Sequence, residues 1–530
     1  MRRLHEKLFY RPLLEAVARL PAEDLRLTPA QARSRLEALG FADPIAAFKH
    51  LEALTTGVSR TAAIQRTLLP AMLGWFADAA DPDAGLLAYR QVSEALGRTH
   101  WYLRLLRDEG SAAQRLARLL ASSRYVADLL TRAPEAVQML SSPEQLVPRD
   151  REGVAAAMLA IAARTDDWEG AVAAARSVRR VELVRVASAD ILGLLDVDAV
   201  GRALTDAAGA TLGSALTVAL RKVTAEYRRP LPMRLAVIAM GRLGGAELGY
   251  GSDADVLFVH DPVGAATDSE AAIAAHVVAE ELRRLLTLPA PDPALLVDAG
   301  LRPEGRQGPL TRSLASYGAY YRRWSLGWEA QALLRASPAA GDPELTARFL
   351  ELADEVRYPR TFPPSAVREV KRLKRRIELE RVPRGVDRTL HLKFGPGGLM
   401  DVEWSAQLLA LRHAARLPEL RTTSTRHALV AAQHAGLLSA DELSALVGAW
   451  TGAARARNAI MLASGRPGDV LPGSGRPLAR VARLLGYPAD TPDELVTDLR
   501  TAGSVARAVA DELFAREGGE TTRTVGGERA

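Results

Sequence analysis

The amino-acid sequence predicts an α+β protein, in which a small mixed sheet is flanked by large all-helical regions. Apolar periodicity is helical nearly everywhere outside residues 234–300. Inside that interval, two short apolar runs, 235–240 and 256–259, are typical of buried strands. A third short run, 294–299, follows a helical segment, so three strands are expected close together in the chain.

The 530 residues are long enough for several domains, and we expect four segments. They are a helical N-terminal region (1–190), a sheet-containing domain (191–340), a C-terminal helical bundle (341–516) and a disordered tail (517–530) that has almost no apolar residues. Helical spacing already begins at Arg2 with no capping residue ahead of it. We therefore expect Met1 to be a start placed inside a longer protein, through either an artificial truncation or a split gene.

Composition excludes several classes of function. The chain has 69 basic and 63 acidic residues, and a net charge of +6 is too small to require a nucleic-acid partner. It has no cysteine, which excludes disulfides, thiol catalysis and cysteine metal sites. No apolar run approaches the roughly 18 residues of a membrane helix, and Met1 to Lys7 is not a signal sequence. We therefore expect a cytoplasmic protein that binds neither nucleic acid nor membrane.

The most informative segment joins the first two predicted strands. The run 235–240 ends in a glycine turn, where Gly241, Gly244 and Gly245 would let the backbone approach a ligand closely. Asp253 and Asp255 then lead into the second run, and alternation along a strand puts their carboxylates on one face, about 6 to 7 Å apart. Such a pair suits one or two hard cations together with phosphate oxygens. An ordinary turn with solvated acids at a strand end would give the same local pattern.

A third acid, Asp298, lies on the third predicted strand. The intervening helix, about 268–287, begins with a capping box of Thr267 and Glu270. Its predicted buried stripe consists of Ile273, Val277, Val278, Leu282, Leu285 and Leu286. If the strand after this helix lies beside the first acidic strand, Asp298 meets Asp253 and Asp255. Three such carboxylates are the donor set of a two-metal phosphoryl-transfer site.

With these residues, the sequence resembles the nucleotidyltransferase superfamily related to DNA polymerase β. More narrowly, it resembles the glutamine synthetase adenylyltransferase/adenylyl-removing enzyme family. The matching segments are GRLGGAELGYGSDADVLF (241–258), VDAGLRPEGRQGPL (297–310), WEAQALLRA (328–336) and LKFGPGGLMDVEW (392–404). They occur in the family's order over about 165 residues. Members of the family have two catalytic halves, and the amino-acid sequences of these segments are similar to those of the half that adds the adenylyl group.

The resemblance implies a polymerase β-like core and a specific reaction. ATP would bind with Mg²⁺ at Asp253, Asp255 and Asp298, with its phosphates on the glycine loop. A tyrosine hydroxyl of glutamine synthetase would attack the α-phosphorus and release pyrophosphate, which lowers synthetase activity and regulates nitrogen metabolism. A free tyrosine has a pKa of about 10, so Asp298 is expected to assist as a metal ligand or base. A PII-type signalling protein and glutamine are the implied regulators of a multifunctional enzyme.

Further candidates have structural alternatives. Arg302 and Arg306 would hold the β or γ phosphate, or pair with Glu304. Ser252 would donate to phosphate or only form the turn, and Lys393 is a candidate nucleotide ligand through the resemblance alone. Asp401 and Glu403 would face the nucleotide or the protein substrate, or would only favour the start of a helix. Gly300 stands where the family usually has a polar residue. The basic stretch 368–376 would be a steering patch, or a solvated helix face paired with Glu369, Glu378 and Glu380.

Two other functions remain open at this point. The same carboxylates would serve phosphorolytic removal of the adenylyl group, because the acids are common to both halves of the family. A helical scaffold whose core only senses nucleotide would also retain the fold. Nucleotide addition to nucleic acid is disfavoured, because the chain has no basic module with interleaved aromatic residues.

Overall fold

The computed structural model describes residues 28–57, 60–96, 99–324 and 327–520. The predicted helical segment that begins at Arg2 lies outside these residues, and so does most of the predicted tail. The tail's first residue, Glu517, is the last residue of the final helix.

The N-terminal part of the described chain is helical, as predicted. Its helices are α1 (Pro29–Ala38), α2 (Pro44–Thr55), α3 (Arg60–Ala77), α4 (Pro82–Leu96), α5 (His100–Asp108), α6 (Gly110–Ser122), α7 (Arg124–Arg132), α8 (Arg151–Ala162), α9 (Trp168–Ile191) and α10 (Val197–Tyr227). Two 3₁₀ helices, Pro134–Ser141 and Pro143–Leu146, join α7 to α8. The side chains of Asp150, Asp167 and Asp196 accept backbone N–H groups at the starts of α8, α9 and α10.

A five-stranded mixed sheet follows, and it confirms the predicted fold class. Its strands are β1 (Met233–Ala239), β2 (Ala254–Pro262), β3 (Val297–Asp298), β4 (Thr311–Ser313) and β5 (Ser337–Gly341). β1 lies between β2 and β5 and is antiparallel to both. β2 pairs on its other edge with β3 and then β4, both parallel to it. The third strand therefore lies beside the acidic strand, which was the condition for Asp298 to approach Asp253 and Asp255.

Both faces of the sheet are buried, which explains why β1 and β2 contain continuous apolar runs. Val237, Val256 and Phe258 belong to a core that continues into the N-terminal helices. Their neighbours Ile238 and Leu257 pack on the opposite face, in a second core with residues 314–356. Since one core spans the N-terminal helices and the sheet, the boundary proposed at residue 190 does not coincide with a break in packing. The four-segment division remains a prediction.

The connecting helix α12 (Asp268–Thr287) has the predicted capping box but a different buried face. Ile273 is 59% exposed and Val277 is 37% exposed, so the prediction that both are buried is wrong. The buried face includes Ala271, Ala274, Ala275 and Ala279 beside the predicted Val278, Leu282, Leu285 and Leu286. Small side chains let this helix lie close to its neighbours, which a pattern of large apolar residues does not reveal.

Two strands are absent from the sequence prediction. β5 reads Ser-Pro-Ala-Ala-Gly and has no β-branched or aromatic residue. It is the edge strand next to β1, where a proline is tolerated because one side of the strand needs no ladder hydrogen bonds. β4 is only three residues long, too short for an alternation pattern.

The rest of the described chain is again helical, as predicted. Its helices are the four-residue α11 (Gly241–Gly244) in the glycine turn, α13 (Leu314–Trp324), α14 (Gly327–Leu333), α15 (Pro343–Arg357), α16 (Pro364–Arg381), α17 (Leu399–His413), α18 (Thr425–His434), α19 (Ala440–Ser464), α20 (Gly475–Leu484) and α21 (Asp493–Glu517). Short 3₁₀ turns occupy Gly305–Gln307, Arg388–Leu390 and Pro418–Leu420. Helices α16 to α21 share an apolar core that we call the C-terminal bundle. In α16, Lys374 and Glu378 are buried, whereas the exposed basic residues of the stretch form a solvated face: Arg368, Arg372, Arg375 and Arg376.

Within the described residues, α10 is the one helix long and apolar enough to cross a membrane by length and composition. In its most apolar window, 72% is buried inside the protein. It packs against α8, α9, α12 and β5. These contacts are those of a central core helix.

Candidate active site

The glycine turn brings the backbone against an acidic side chain. β1 ends at Ala239, the N–H of Met240 donates to the carbonyl of Asp255 at 2.8 Å, and Gly241 has a φ of +52°. A Cβ at Gly241 would clash with Asp255 Oδ2, so only glycine fits here. The turn therefore exposes backbone directly beside a candidate catalytic carboxylate.

Gly244 and Gly245 have another neighbour. A Cβ at Gly244 would strike the carbonyl of Arg335, and one at Gly245 would strike the Arg335 guanidinium. Neither glycine lines the cavity described below. Close packing against Arg335 therefore explains why both positions need glycine. The prediction that Gly244 and Gly245 approach a bound phosphate is not supported, because neither lies at the cavity.

Three carboxylates line one cavity at the end of the sheet. Asp255 on β2 is the register partner of Asp298 on the parallel neighbour β3, and Asp253 immediately precedes β2. Paired residues of parallel strands project on the same face, so the carboxylates of Asp255 and Asp298 are neighbours. All three side chains line one cavity of about 810 Å³, together with Gly241 and Ser252.

The electrostatics of this site are dominated by unneutralised negative charge. Burial, together with the charges of Asp298 and Asp253, raises the pKa of Asp255 to about 6, against an opposing effect of Lys393. Burial and like charges both disfavour the ionised form, while the lysine favours it. A pKa of about 6 makes Asp255 mostly ionised at neutral pH, yet ready to accept a proton or a cation.

Asp298 is held by its own loop. Its Oδ1 accepts the backbone N–H of Gly300 at 2.7 Å, and a Cβ at Gly300 would lie only 2.9 Å from the same oxygen. Its Oδ2 lies 3.5 Å from Nη2 of Arg306, a side chain that is 84% exposed. Glycine at position 300 thus leaves room for the backbone to fix the orientation of the Asp298 carboxylate.

The two candidate phosphate-binding arginines do not line the cavity. Arg302 donates to the backbone carbonyls of Ala299, Arg306 and Gly308, at 2.8 to 3.0 Å, so its guanidinium holds the loop after β3 together. Glu304, the alternative partner considered for both, pairs with Arg312. Ser252 does line the cavity, and its hydroxyl accepts the N–H of Gly249 at 3.0 Å.

The other wall of the cavity comes from the C-terminal bundle. Lys393 lines it, as expected, with its Nζ 5.1 Å from the centre of the Phe394 ring. Glu403 also lines it, from α17, and lies 3.8 Å from Arg242. Asp401 is 1% exposed and points elsewhere, to Lys374 and Arg507. Of the two acids in this segment, Glu403 alone is in contact with the cavity.

Sequence reasoning missed several residues that line the cavity. They are Arg242, Arg335, Trp404, Gln407, Arg457 and Asp469. Arg335, Trp404 and Arg242 stand inside the four matching segments, so the resemblance offered a signal for them. Arg457 and Asp469, which pair at 2.6 Å, lie outside those segments, and an arginine-rich composition conceals such a pair.

Arg335 explains part of the segment WEAQALLRA. It pairs with Glu247 of the glycine loop at 2.9 Å, and both side chains are buried. Glu247 also accepts the backbone N–H of Thr425 in α18 at 2.6 Å. This network ties the loop that precedes Asp253 to the C-terminal bundle, and so fixes the two walls of the cavity relative to each other.

Among the described residues, no group of three or more carboxylate or histidine side chains is arranged to enclose a metal ion. Mg²⁺ does not need such a cage, because it is held by one or two carboxylates together with substrate phosphates and waters. The donor chemistry of Asp253, Asp255 and Asp298 therefore fits this ion, and the raised pKa of Asp255 shows that a nearby positive charge would be favourable.

Comparison with known proteins gives two family matches. Residues 113–352 match the family described as glutamate-ammonia ligase adenylyltransferase, and residues 371–515 match the family described as GlnD PII-uridylyltransferase. Curated relatives named bifunctional glutamine synthetase adenylyltransferase/adenylyl-removing enzyme align along nearly the whole chain. A Streptomyces coelicolor relative is 55% identical over 97% of this chain and 53% of its own length. Nocardia farcinica and Mycobacterium avium relatives are 52% and 49% identical, over 97% and 96% of this chain and 52% of their own length. The chain spans about half the length of these relatives.

Proposed function

We propose, from the match of residues 113–352 to the glutamate-ammonia ligase adenylyltransferase family, that the chain transfers AMP from ATP to a tyrosine hydroxyl of glutamine synthetase. The observation that supports this most directly is the register of β2 and β3, which sets Asp298 beside Asp255 at a cavity that Asp253 also lines. The names of the relatives indicate the substrate.

Asp253, Asp255 and Asp298 would hold Mg²⁺ in this proposal. When bound, the ion would increase the acidity of the attacking hydroxyl and offset the charge that develops on pyrophosphate. The chain itself supplies orientation: Gly241 presents backbone beside the Asp255 carboxylate, and Lys393 adds positive charge across the cavity.

The reaction forms one bond and breaks one. The tyrosine oxygen bonds to the α-phosphorus of ATP, the bond from that phosphorus to the β-phosphate bridging oxygen breaks, and pyrophosphate leaves. The phenolic proton goes to Asp298, whose orientation the Gly300 N–H maintains. Ser252 lines the cavity next to Asp253 and is a candidate donor to a phosphate oxygen.

Removal of the adenylyl group by phosphate is the second candidate function, because the relatives are named for both activities. The same carboxylates would act on the reverse type of transfer, with phosphate as the attacking group.

A cytoplasmic location and regulation by a PII-type protein are also part of the proposal. The match of residues 371–515 to a PII-uridylyltransferase family supports the regulation by a PII-type protein.

The experiment is a label-transfer assay. The chain is incubated with unmodified glutamine synthetase, Mg²⁺ and ATP labelled at the α-phosphate, and label on the synthetase is measured. The proposal expects transfer that is lost in Asp255→Asn and kept in Asp261→Asn, at the other end of the same strand. Transfer that survives Asp255→Asn would refute the site. Release of label from adenylylated synthetase by phosphate, without forward transfer, would favour the second function.

A further inference from the structure

Two charged side chains in the cavity wall have buried atoms without hydrogen-bond partners. Arg242 Nη1 and Glu403 Oε1 are both inaccessible to solvent, and neither forms a hydrogen bond within the part of the chain described. They lie 3.8 Å apart, too far for a hydrogen bond with each other. Leaving buried charged groups unsatisfied is costly, so a site that retains both is a site where a ligand completes them.

The remaining atoms of Arg242 fix it in place. Its Nε donates to the carbonyl of Glu247 at 2.7 Å, which holds the guanidinium in the glycine loop. Glu403 projects from α17, in the opposite wall. The unsatisfied donor and the unsatisfied acceptor therefore belong to the two separate walls of the cavity, and a ligand that fills both would lie between them.

Apolar and aromatic side chains line the same cavity as this pair. Leu399, Met400 and Trp404 line the same cavity from α17, and Phe394 lines it from the preceding loop. Flat rings pack well against such surfaces. The neighbourhood of Glu403 thus suits a planar heterocycle better than a triphosphate, whose oxygens are all acceptors and would be repelled by the carboxylate.

We propose that Arg242 and Glu403 recognise the adenine edge of the nucleotide and select it against guanine. This inference rests on the proposed function only in assuming that a nucleoside triphosphate occupies the cavity. Adenine presents a 6-amino donor beside a ring-nitrogen acceptor, which complements a carboxylate beside a guanidinium. Glu403 accepts from the amino group and Arg242 donates to the ring nitrogen. Guanine places an acceptor oxygen where adenine has its amino group, opposite the Glu403 carboxylate.

The test compares nucleotides with and without the 6-amino group. Binding of ATP, purine riboside triphosphate and GTP is measured by calorimetry with Mg²⁺ for the wild-type chain, Glu403→Ala and the control Glu351→Gln, an exposed residue of α15. We expect the wild-type chain to bind ATP roughly tenfold tighter than purine riboside triphosphate, and GTP more weakly still. Glu403→Ala should bind ATP and purine riboside triphosphate within about twofold of each other, while Glu351→Gln keeps the wild-type ratio.

Equal affinity of the wild-type chain for ATP and purine riboside triphosphate would overturn the inference, whatever the folding of the variants. An unchanged ratio in a folded Glu403→Ala would overturn it as well. Label transfer separates this result from the proposed function. Transfer to glutamine synthetase without base selectivity refutes only the adenine pair, whereas selectivity without transfer refutes only the proposed reaction. No binding of any nucleotide refutes both.

Discussion

Two groups of carboxylates lie near the cavity, and they differ in whether cationic side chains pair with them. At the end of the sheet, Asp253 and Asp255 form no ion pair with any described residue, and Asp298 has only the exposed Arg306 at 3.5 Å. In the C-terminal bundle, Asp401 and Glu378 are also buried, but their charges are matched by cations from two other positions, Lys374 on α16 and Arg507 on α21.

The difference teaches how to separate a reactive cluster from a structural one. In the bundle, the N–H of Gly397 also donates to Asp401 at 2.6 Å, so that carboxylate has no capacity left for a ligand. At the sheet end, burial and like charge raise the pKa of Asp255 to about 6, and nothing in the described chain fully offsets them. Residual charge of this kind marks a functional site, whereas complete pairing marks a fold-stabilising one.

The largest expected effect is on catalysis at the sheet end. Asp255→Asn should lower adenylyl transfer by about 10³-fold or more, which corresponds to about 4 kcal/mol in the activation barrier, because a ligand for the metal is lost. The free energy of unfolding at pH 8 should stay the same or rise, because the substitution removes a buried charge that the folded state disfavours. Single-turnover transfer and urea unfolding measure the two quantities. A large loss of stability would show that Asp255 belongs to the structural class.

The bundle cluster should respond in the opposite sense. Lys374→Ala leaves Asp401 and Glu378 with the partly buried Arg507 as their closest remaining cation, and should lower the free energy of unfolding by about 3 to 5 kcal/mol. The matched control is Lys371→Ala, one turn earlier on α16. Lys371 pairs at 2.8 Å with the half-exposed Glu520, so its loss should cost less than about 1 kcal/mol. Equal effects in urea unfolding would contradict the distinction between the two clusters.

Another buried carboxylate, Asp190, allows the cost of an unpaired buried charge to be measured through the pH dependence of stability. Asp190 on α9 accepts the hydroxyl of Tyr250, in the glycine loop, at 2.8 Å, and burial raises its pKa to about 6. Since its pKa in the unfolded chain is near 3.8, the folded state binds more protons between these values, and stability falls as pH rises from 4 to 6. Asp190→Asn should remove this fall, leaving the variant more stable by about 2 to 3 kcal/mol at pH 8 but not at pH 4.

The measurement is urea unfolding between pH 4 and pH 8. Asp166→Asn, an exposed acid near the start of the same helix, is the control and should keep the wild-type pH profile. A parallel fall in the Asp190→Asn variant would mean that the pH dependence arises elsewhere.

How far the sequence predicts this molecule depends on whether a feature is local. The capping box at Thr267 and the two acid-bearing strands follow from short patterns, and all are present. The pairing of β3 with β2 was only a condition at the sequence level, and the structure fulfils it. β5 could not be predicted because its alanines and proline have no strand pattern; only its place beside β1 makes it a strand.

The two walls of the candidate site differ in the same way. Asp253, Asp255 and Asp298 were accessible to sequence reasoning because one strand–helix–strand unit carries them. Lys393 and Glu403 were reached only through resemblance, and Arg457 not at all, because these residues meet the sheet across long sequence separations. The contact of Glu247 with Thr425 spans 178 residues. The periodicity of apolar residues in the sequence does not predict such contacts, because they depend on how the whole bundle packs.

The smallest expected effect concerns Arg306, which pairs with Asp298. Its side chain is 84% exposed and 3.5 Å from the carboxylate, so the pair is largely screened by water. Arg306→Ala should change the free energy of unfolding by less than about 0.5 kcal/mol and the KM for ATP by less than about fivefold. If Arg306 instead grips the triphosphate, as its place after the third acid suggests, KM should rise well beyond that range at constant stability. Steady-state kinetics distinguishes the two outcomes, with Arg283→Ala as control; Arg283 lies on α12, is 39% exposed and does not line the cavity. A large KM effect would move Arg306 into the same class as Lys393, and would mean that the negative charge at the sheet end is offset when the nucleotide binds.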